Sequence, residues 1–416
     1  MRLLIFSQYF WPEGFAINEL ALSLASKDIA VEVLTGQPNY PKGQTYSGYH
    51  AWSCGCDSYY QIPIMRIPIL PRSKGALRLA LNYCSFVISG IIIAPWLLHK
   101  KKYDAIFIYA PSPILQAIPA IFLGWLKGCP VVLWVQDLWP ESLSATGHIH
   151  HPLLLALVKL LVAWIYQNVT LLLVPSLAFI SPIEKLARST PVLYYPNSVE
   201  DRFSQPSQDE VISLLGLNDQ FSVLFAGNIG KAQAVKVIVD AAVLLKDHRS
   251  INFIVIGEGV DREWMIGEVK ARKLSNLHLP GYFPVDKMPG ILQRASALLV
   301  TLADQPIFSM TVPNKIQAYL ASGRPVIACL NGEGARIVVE AGAGLAVPAE
   351  DAQGLANAIL ELSLMSSTEL DGMGELGKKC YQKYFNHEKM VEQLIGHMQL
   401  AIKLRKSQHE NIDPRI

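Results

Sequence analysis

The sequence predicts an α/β protein built from two Rossmann-like domains that face each other across a cleft. Three observations lead there. The 416 residues exceed one ordinary core and suit two domains of roughly 200 residues each. In the first half, short apolar runs alternate with helical stretches, the pattern of a parallel sheet covered on both faces. The second half repeats that alternation after a polar stretch with two prolines.

In chain order, the first strand is Leu3–Ser7. Its apolar run is too short for a signal-peptide core, so it reads as a buried strand and places the chain in the cytosol. Val31–Thr35, Ile106–Tyr109, Val131–Val135 and Leu171–Pro175 complete the first set. The stretch from Tyr195 to Gln208 reads as the inter-domain linker. Ser222–Ala226, Asn252–Ile256, Leu277–Leu279, Ala297–Val300 and Val326–Ala328 form the second set. The expected domains are 1–196 and 197–385. A helical tail, 386–416, crosses back to the first domain and carries Lys403, Arg405 and Lys406.

Composition narrows the partners. Hydrophobic residues make up 51% and charged residues 17%, against about 25% charged in a typical domain. A net charge of +2 argues against nucleic acid. The six cysteines, Cys54, Cys56, Cys84, Cys129, Cys329 and Cys380, form no paired C-x-x-C set, so neither a zinc site nor a disulfide framework is expected.

Residues 79–98 contain no charge. They lie between Arg72, Lys74 and Arg78 on one side and His99 and Lys100–Lys102 on the other. That is near the ~20 residues that span a bilayer, but a spanning helix would separate strands of one sheet. The segment 72–102 therefore reads as one that lies on an anionic membrane surface. Residues 152–165 are also apolar; a core helix is the alternative for both segments and the better reading of the second.

Five loops carry the candidate chemistry. Ser7–Asn18 follows the first strand and opens a helix at about Glu19; Gly14 lets the backbone approach a phosphate. Val135–Ser142 (VQDLWPES) delivers Gln136, Asp137 and Glu141 to the carboxyl end of a strand, where open α/β sheets bind ligands. There Trp139 is placed to stack on a sugar. Phe225–Gln233 (FAGNIGKAQ) offers Gly227, Asn228 and Lys231 to a diphosphate. Gly257 and Gly259 (IGEG), with Tyr282 and Phe283 (HLPGYFP), present backbone and ring to a base. Phe308–Gly323 enters a helix near Pro313. Its Ser309, Met310, Thr311 and Val312 N–H groups, with Lys315, face the diphosphate. Of the histidines, His148, His150 and His151 have no carboxylate cluster at ligand spacing, so no metal is expected.

The motifs VQDLWPES, AGNIGKAQ and TVPNKIQAYLASGRPVI resemble glycosyltransferase family 4, retaining enzymes of the GT-B fold, over almost the whole chain. They look most like the bacterial fucosamine-transferase subgroup (WbuB-like) of O-antigen and capsule assembly. The resemblance implies transfer of a sugar, such as an N-acetylated deoxyamino sugar, from a UDP-sugar. It implies no cofactor or metal. It also implies a polyprenyl-diphosphate-linked acceptor at the cytosolic face of the inner membrane. Three departures stand out. The family's E-x7-E positions fall on Met310 and Ala318, and its phosphate lysine falls on Gln233, which leaves Lys231 as the substitute. Where many members carry His-Asp, this chain has Gln136-Asp137. The leaving diphosphate then takes the acceptor's proton in a front-face attack, with the protein positioning groups and stabilising charge. A sugar-nucleotide epimerase, a sugar-binding protein and a transferase with a soluble acceptor are the alternatives.

Overall fold

A computed structural model describes residues 1–72, 75–145, 151–205 and 220–410. Lys74, His148, His150 and the last three residues of the expected linker lie outside these. The chain divides into two compact units, Met1–Tyr195 with Glu388–Ile416, and Pro196–His387.

Unit one is an eight-stranded sheet. Its strands are β1 (Arg2–Phe6), β2 (Ala30–Gly36), β3 (Gly55–Tyr59), β4 (Ile62–Ile67), β5 (Ala105–Ala110), β6 (Val131–Val135), β7 (Leu171–Val174) and β8 (Val192–Tyr194). The spatial order is β3-β4-β2-β1-β5-β6-β7-β8, and all neighbours are parallel except the β3–β4 hairpin. Alternation along β1 separates two faces. Leu3 and Ile5 pack with Ile17, Leu20 and Leu24 of the helix Ala16–Ala25 and with Met390, Val391, Leu394 and Met398 of the last helix, His387–Glu410. On the opposite face Phe6 meets Phe86 of the helix Ala76–Leu97 edge-on at 5.7 Å.

That helix is held along the sheet. Gly90 lets it approach the helix Ala117–Lys127 so closely that a Cβ would stand 2.7 Å from Pro119. Lys127 closes its C-terminal end, donating to the carbonyls of Leu98 at 2.5 Å, His99 at 3.3 Å and Lys101 at 2.8 Å. Among the described residues Leu77–Leu97 is the one helix long and apolar enough to cross a membrane. It joins two strands of one sheet, and its outer face is bare: Ile92 is 67% and Trp96 71% exposed. Trp125 meets Trp164 edge-on at 5.9 Å, which extends this face to the helix Pro152–Gln167, where Leu157 and Leu160 are likewise exposed. The basic cluster beside it needs one correction. Lys101 pairs with Glu32 at 2.7 Å, while Lys100 and Lys102 are exposed.

Unit two is an all-parallel six-stranded sheet. It comprises β9 (Phe221–Ala226), β10 (Ile251–Ile256), β11 (Leu277–Gly281), β12 (Ala297–Thr301), β13 (Val326–Cys329) and β14 (Gly344–Val347), in the order β11-β10-β9-β12-β13-β14. Val223 and Phe225 pack under the helices Lys236–Leu244 and Ala352–Leu364. Leu224 packs under Asn314–Ser322 and Ser367–Tyr384. Residues 197–205 are not free linker. Phe203 joins this core, and the Tyr381 hydroxyl donates to Val199 O at 2.8 Å and to Asp201 at 2.9 Å.

Candidate functional site

In unit two, β9 ends at Ala226, whose N–H donates to the Tyr319 hydroxyl at 3.0 Å. The chain then turns through Gly227–Gly230 into a 3-10 turn, Lys231–Gln233. Backbone bonds mesh this turn with the loop after β10. Gly227 N–H donates to Ile256 O and Ile229 N–H to Glu258 O, both at 2.9 Å, and Asp261 N–H donates to Ile229 O at 3.0 Å. Gly257, at φ +140°, makes the meshing possible, since a Cβ there would stand 1.8 Å from the Gly227 carbonyl oxygen. At Gly259 it would stand 2.1 Å from that of Ile229. Loop-to-loop packing therefore accounts for Gly257 and Gly259, which the sequence assigned to a nucleotide.

Lys315 projects from the first turn of the helix Asn314–Ser322, whose N-cap is Pro313. Its ammonium donates to Gln233 Oε1 at 2.7 Å and lies 3.9 Å from the centroid of the Phe225 ring. A Cβ on Gly227 would come 2.9 Å from it. The Thr301 hydroxyl holds the Gln233 carbonyl from below. Enclosure pushes the Lys315 ammonium down to about 7. A cation thus reaches the position of Gln233 from a helix rather than from the loop. Lys231 and Asn228 are exposed on the turn, and the lysine bonded to Gln233 is Lys315.

The loop before that helix differs from expectation. Residues Pro306–Met310 form a short helix. Ser309 N–H donates to Gln305 O and Thr311 N–H to Phe308 O, each at 3.2 Å, so these two groups are already engaged. Met310 also has a partner, and Val312 is buried. Ala318 packs in the core. Tyr282 is exposed, and Phe283 packs against the core beneath it.

In unit one, the loops after β1, β2, β5 and β6 emerge side by side at the carboxyl edge of adjacent strands. Asp137 follows β6. Burial pushes its carboxyl up to about 6, with Ser142 and Trp139 beside it pulling the other way. The Gln136 side-chain NH2 is buried without a partner among the described residues. Glu141 is exposed at the start of the short helix Glu141–Ala145. Trp139 is 5% exposed, too deep for the stacking role the sequence offered it. Gly14 is open, with nothing within 4 Å of a Cβ built on it, and its helix starts at Ala16 rather than Glu19. His151 is exposed, ahead of the helix Pro152–Gln167.

Several residues here were not singled out in the sequence. Glu13 is buried and accepts from the N–H groups of Asn39 at 2.8 Å and Tyr40 at 2.7 Å, while burial pushes it up to about 7. Asn39 Oδ1 in turn accepts from Arg72 N–H at 2.8 Å. The Arg72 guanidinium lies 5.4 Å from the Tyr40 ring centroid and acts on the hydroxyls of Tyr9 and Tyr83, countering the burial that pushes both upward. Tyr83 also interacts with Ser112 and Asp137. Arg72 thus belongs to this edge rather than to a surface rim.

Residues 220–364, which hold the Lys315 corner, match the family of glycosyl transferases group 1. The chain is 25% identical over 352 residues to the putative colanic acid biosynthesis glycosyl transferase WcaI of Escherichia coli, covering 78% of this chain and 82% of that one. The chain is a glycosyltransferase. It is also 26% identical over 317 residues to the probable glycosyltransferase WbjE of Pseudomonas aeruginosa, covering 73% of this chain and 78% of that one. The fold of the glycosyltransferase is GT-B. Anabaena HepE in complex with UDP superposes with a TM-score of 0.70 at 14% identity, covering 96% and 100% of the two chains. Sucrose-phosphate synthase of Thermosynechococcus elongatus gives 0.74 at 18%, covering 96% and 98%.

Proposed function

We propose that this glycosyltransferase moves a sugar from a UDP-sugar to a polyprenyl-diphosphate-linked acceptor in bacterial surface-polysaccharide assembly, with retention and without a bound metal. The carrying observation is the Lys315 ammonium, held by Gln233 and Phe225 at the carboxyl edge of β9. A lysine enclosed without a counter-charge among the described residues is primed for a phosphate, and a diphosphate is the leaving group whose developing charge must be met. Lys231 adds a second, solvent-screened cation. Gly227, Phe283 and Val312 contribute to the donor site. The name of the colanic acid relative supports the polysaccharide role. The fucosamine-transferase resemblance supports an N-acetylated deoxyamino sugar.

In unit one, Asp137 accepts the hydrogen bond of the attacking hydroxyl and orients it, and the unpartnered Gln136 NH2 binds a sugar oxygen. The departing diphosphate oxygen takes the proton. Glu141 lies further out and Gly14 leaves room for substrate. The bare face of Ala76–Leu97 and Pro152–Gln167 seats unit one on the cytosolic leaflet, where a polyprenyl carrier presents its sugar. A panel of sugar nucleotides, scored for acceptor-dependent UDP release with membrane extracts as acceptor source, tests the proposal. Release only from a UDP-sugar, lost in Lys315→Ala, is expected. Turnover without an acceptor, or none with any UDP-sugar, overturns it.

A further inference from the structure

Arg72 is the feature of unit one that the transfer reaction leaves unexplained. Its backbone is fixed through Asn39, which is itself fixed by Glu13. Its guanidinium is half-buried and has no carboxylate at ion-pairing distance among the described residues. A guanidinium withdrawn from water without a counter-charge costs stability unless a ligand supplies one. The groups around it are hydroxyls and a ring, with the Glu13 and Asp137 carboxyls acting on those hydroxyls. The Tyr9 and Tyr83 hydroxyls, both largely buried, face it, and the Tyr40 ring flanks it. Such a set suits the planar, bidentate recognition of a phosphoryl group. It also lies where open α/β sheets bind ligands, and Asp137 is near enough to act electrostatically on Tyr83.

We propose that Arg72, with Tyr9, Tyr40 and Tyr83, forms a phosphoryl-binding site in unit one that anchors the acceptor's diphosphate beside Asp137. The inference rests on the acceptor named above. It adds where the charged part of that acceptor is held and separates this recognition from that of the lipid chain. The same chemistry would also take a free phosphate, so the probes must distinguish the two.

The test uses the full-length protein saturated with UDP, so that the donor site is filled. Binding of inorganic pyrophosphate, geranyl diphosphate and geraniol is measured by calorimetry for wild type, Arg72→Gln and Arg72→Lys. Pyrophosphate and geranyl diphosphate should each bind about tenfold more weakly to Arg72→Gln, with Arg72→Lys between, and geraniol should not change. Tighter binding of geranyl diphosphate than of pyrophosphate identifies a lipid-linked ligand; equal binding identifies a site for free phosphate and overturns the anchoring role. Equal affinities in wild type and Arg72→Gln overturn the site, as does pyrophosphate binding that UDP abolishes. Unchanged UDP affinity and melting temperature show that Arg72→Gln is folded. Absence of UDP binding by wild type defeats the donor reading instead, and the pyrophosphate series without UDP then still decides on Arg72.

Discussion

Lys315 and Gln233 are 82 positions apart in sequence and meet in a 2.7 Å hydrogen bond beneath the open end of β9. The ammonium has the Phe225 ring on one side and the side-chain-free Gly227 on another. Gln233 thereby acts as a rest for a cation that originates on a different element.

Substitution should separate the two lysines. Lys315→Ala is expected to lower kcat/KM about 10²-fold or more, near the ~3 kcal/mol lost with one stabiliser of developing charge. Lys231→Ala, which removes an exposed side chain, should cost less than about tenfold because solvent screens its charge. Steady-state kinetics on both variants decide this. An inactive Lys231→Ala beside an active Lys315→Ala would reverse the assignment.

The pH dependence follows from two opposed shifts. Asp137, pushed up to about 6, must ionise before it can accept from a hydroxyl, so the rate rises through 6. Lys315, pushed down to about 7, loses its charge as pH rises through 7, so donor capture then falls. A narrow bell in kcat/KM is expected. Asp137→Asn should flatten the acid limb and Lys315→Arg the alkaline limb. A profile unaltered in both variants removes these groups from the reaction.

Stability should respond to Glu13. Its carboxyl is raised in the folded protein to about 7, so the folded state binds more protons than the unfolded chain between the ordinary carboxylate range and 7. This contribution is present below the unfolded value and is lost as pH rises through 7. Urea unfolding at pH 5 and pH 8 should show a smaller difference for Glu13→Gln than for wild type. An identical difference counts against the shift.

Glycine substitutions should divide by geometry. Gly257→Ala places a Cβ 1.8 Å from a carbonyl oxygen at a positive φ and should cost about 2–4 kcal/mol, read as a lowered Tm. Gly14→Ala meets open space and should melt like wild type. Equal melting of the two variants would show that the loops do not mesh as described.

Vesicle co-sedimentation addresses the bare face of unit one. Trp96→Glu should weaken binding to neutral and anionic vesicles alike, because it removes apolar contact. The pair Lys100→Glu with Lys102→Glu should weaken binding to anionic vesicles alone, at ~1 kcal/mol per basic residue. Lys101 is left in place because it serves Glu32. Wild type that sediments with neither vesicle type shows that this face meets something other than lipid.

Much of the architecture was legible because central parallel strands are uninterrupted apolar runs. Val131–Val135 has the same limits in sequence and structure. The strands not foreseen are atypical: Ile62–Ile67 carries Pro63 and the buried Arg66, Gly55–Tyr59 is a polar edge, and Val192–Tyr194 and Gly344–Val347 are very short. In the site, motif position pointed to Lys231, whereas the cation at Gln233 comes from Lys315. No local pattern reports a side chain that crosses from another element. Glycine was legible as a residue that permits close approach, but not what approaches: at Gly257 it is the chain's own carbonyl. Arg72 looked like part of a basic run and is drawn inward by Asn39, a contact 33 positions away.

The clasp of Lys127 on three carbonyls at the end of Ala76–Leu97 has a mechanical consequence. With Gly90 seated on Pro119, the helix is anchored both along its length and at its tip, so it cannot swing away from the sheet like a flap. Any surface that takes up its bare side therefore takes up unit one as a rigid hull, with a fixed waterline. The loops bearing Asp137 and Arg72 then ride at one height above that surface, and substrate reach becomes a dimension of the fold rather than of a flexible tether.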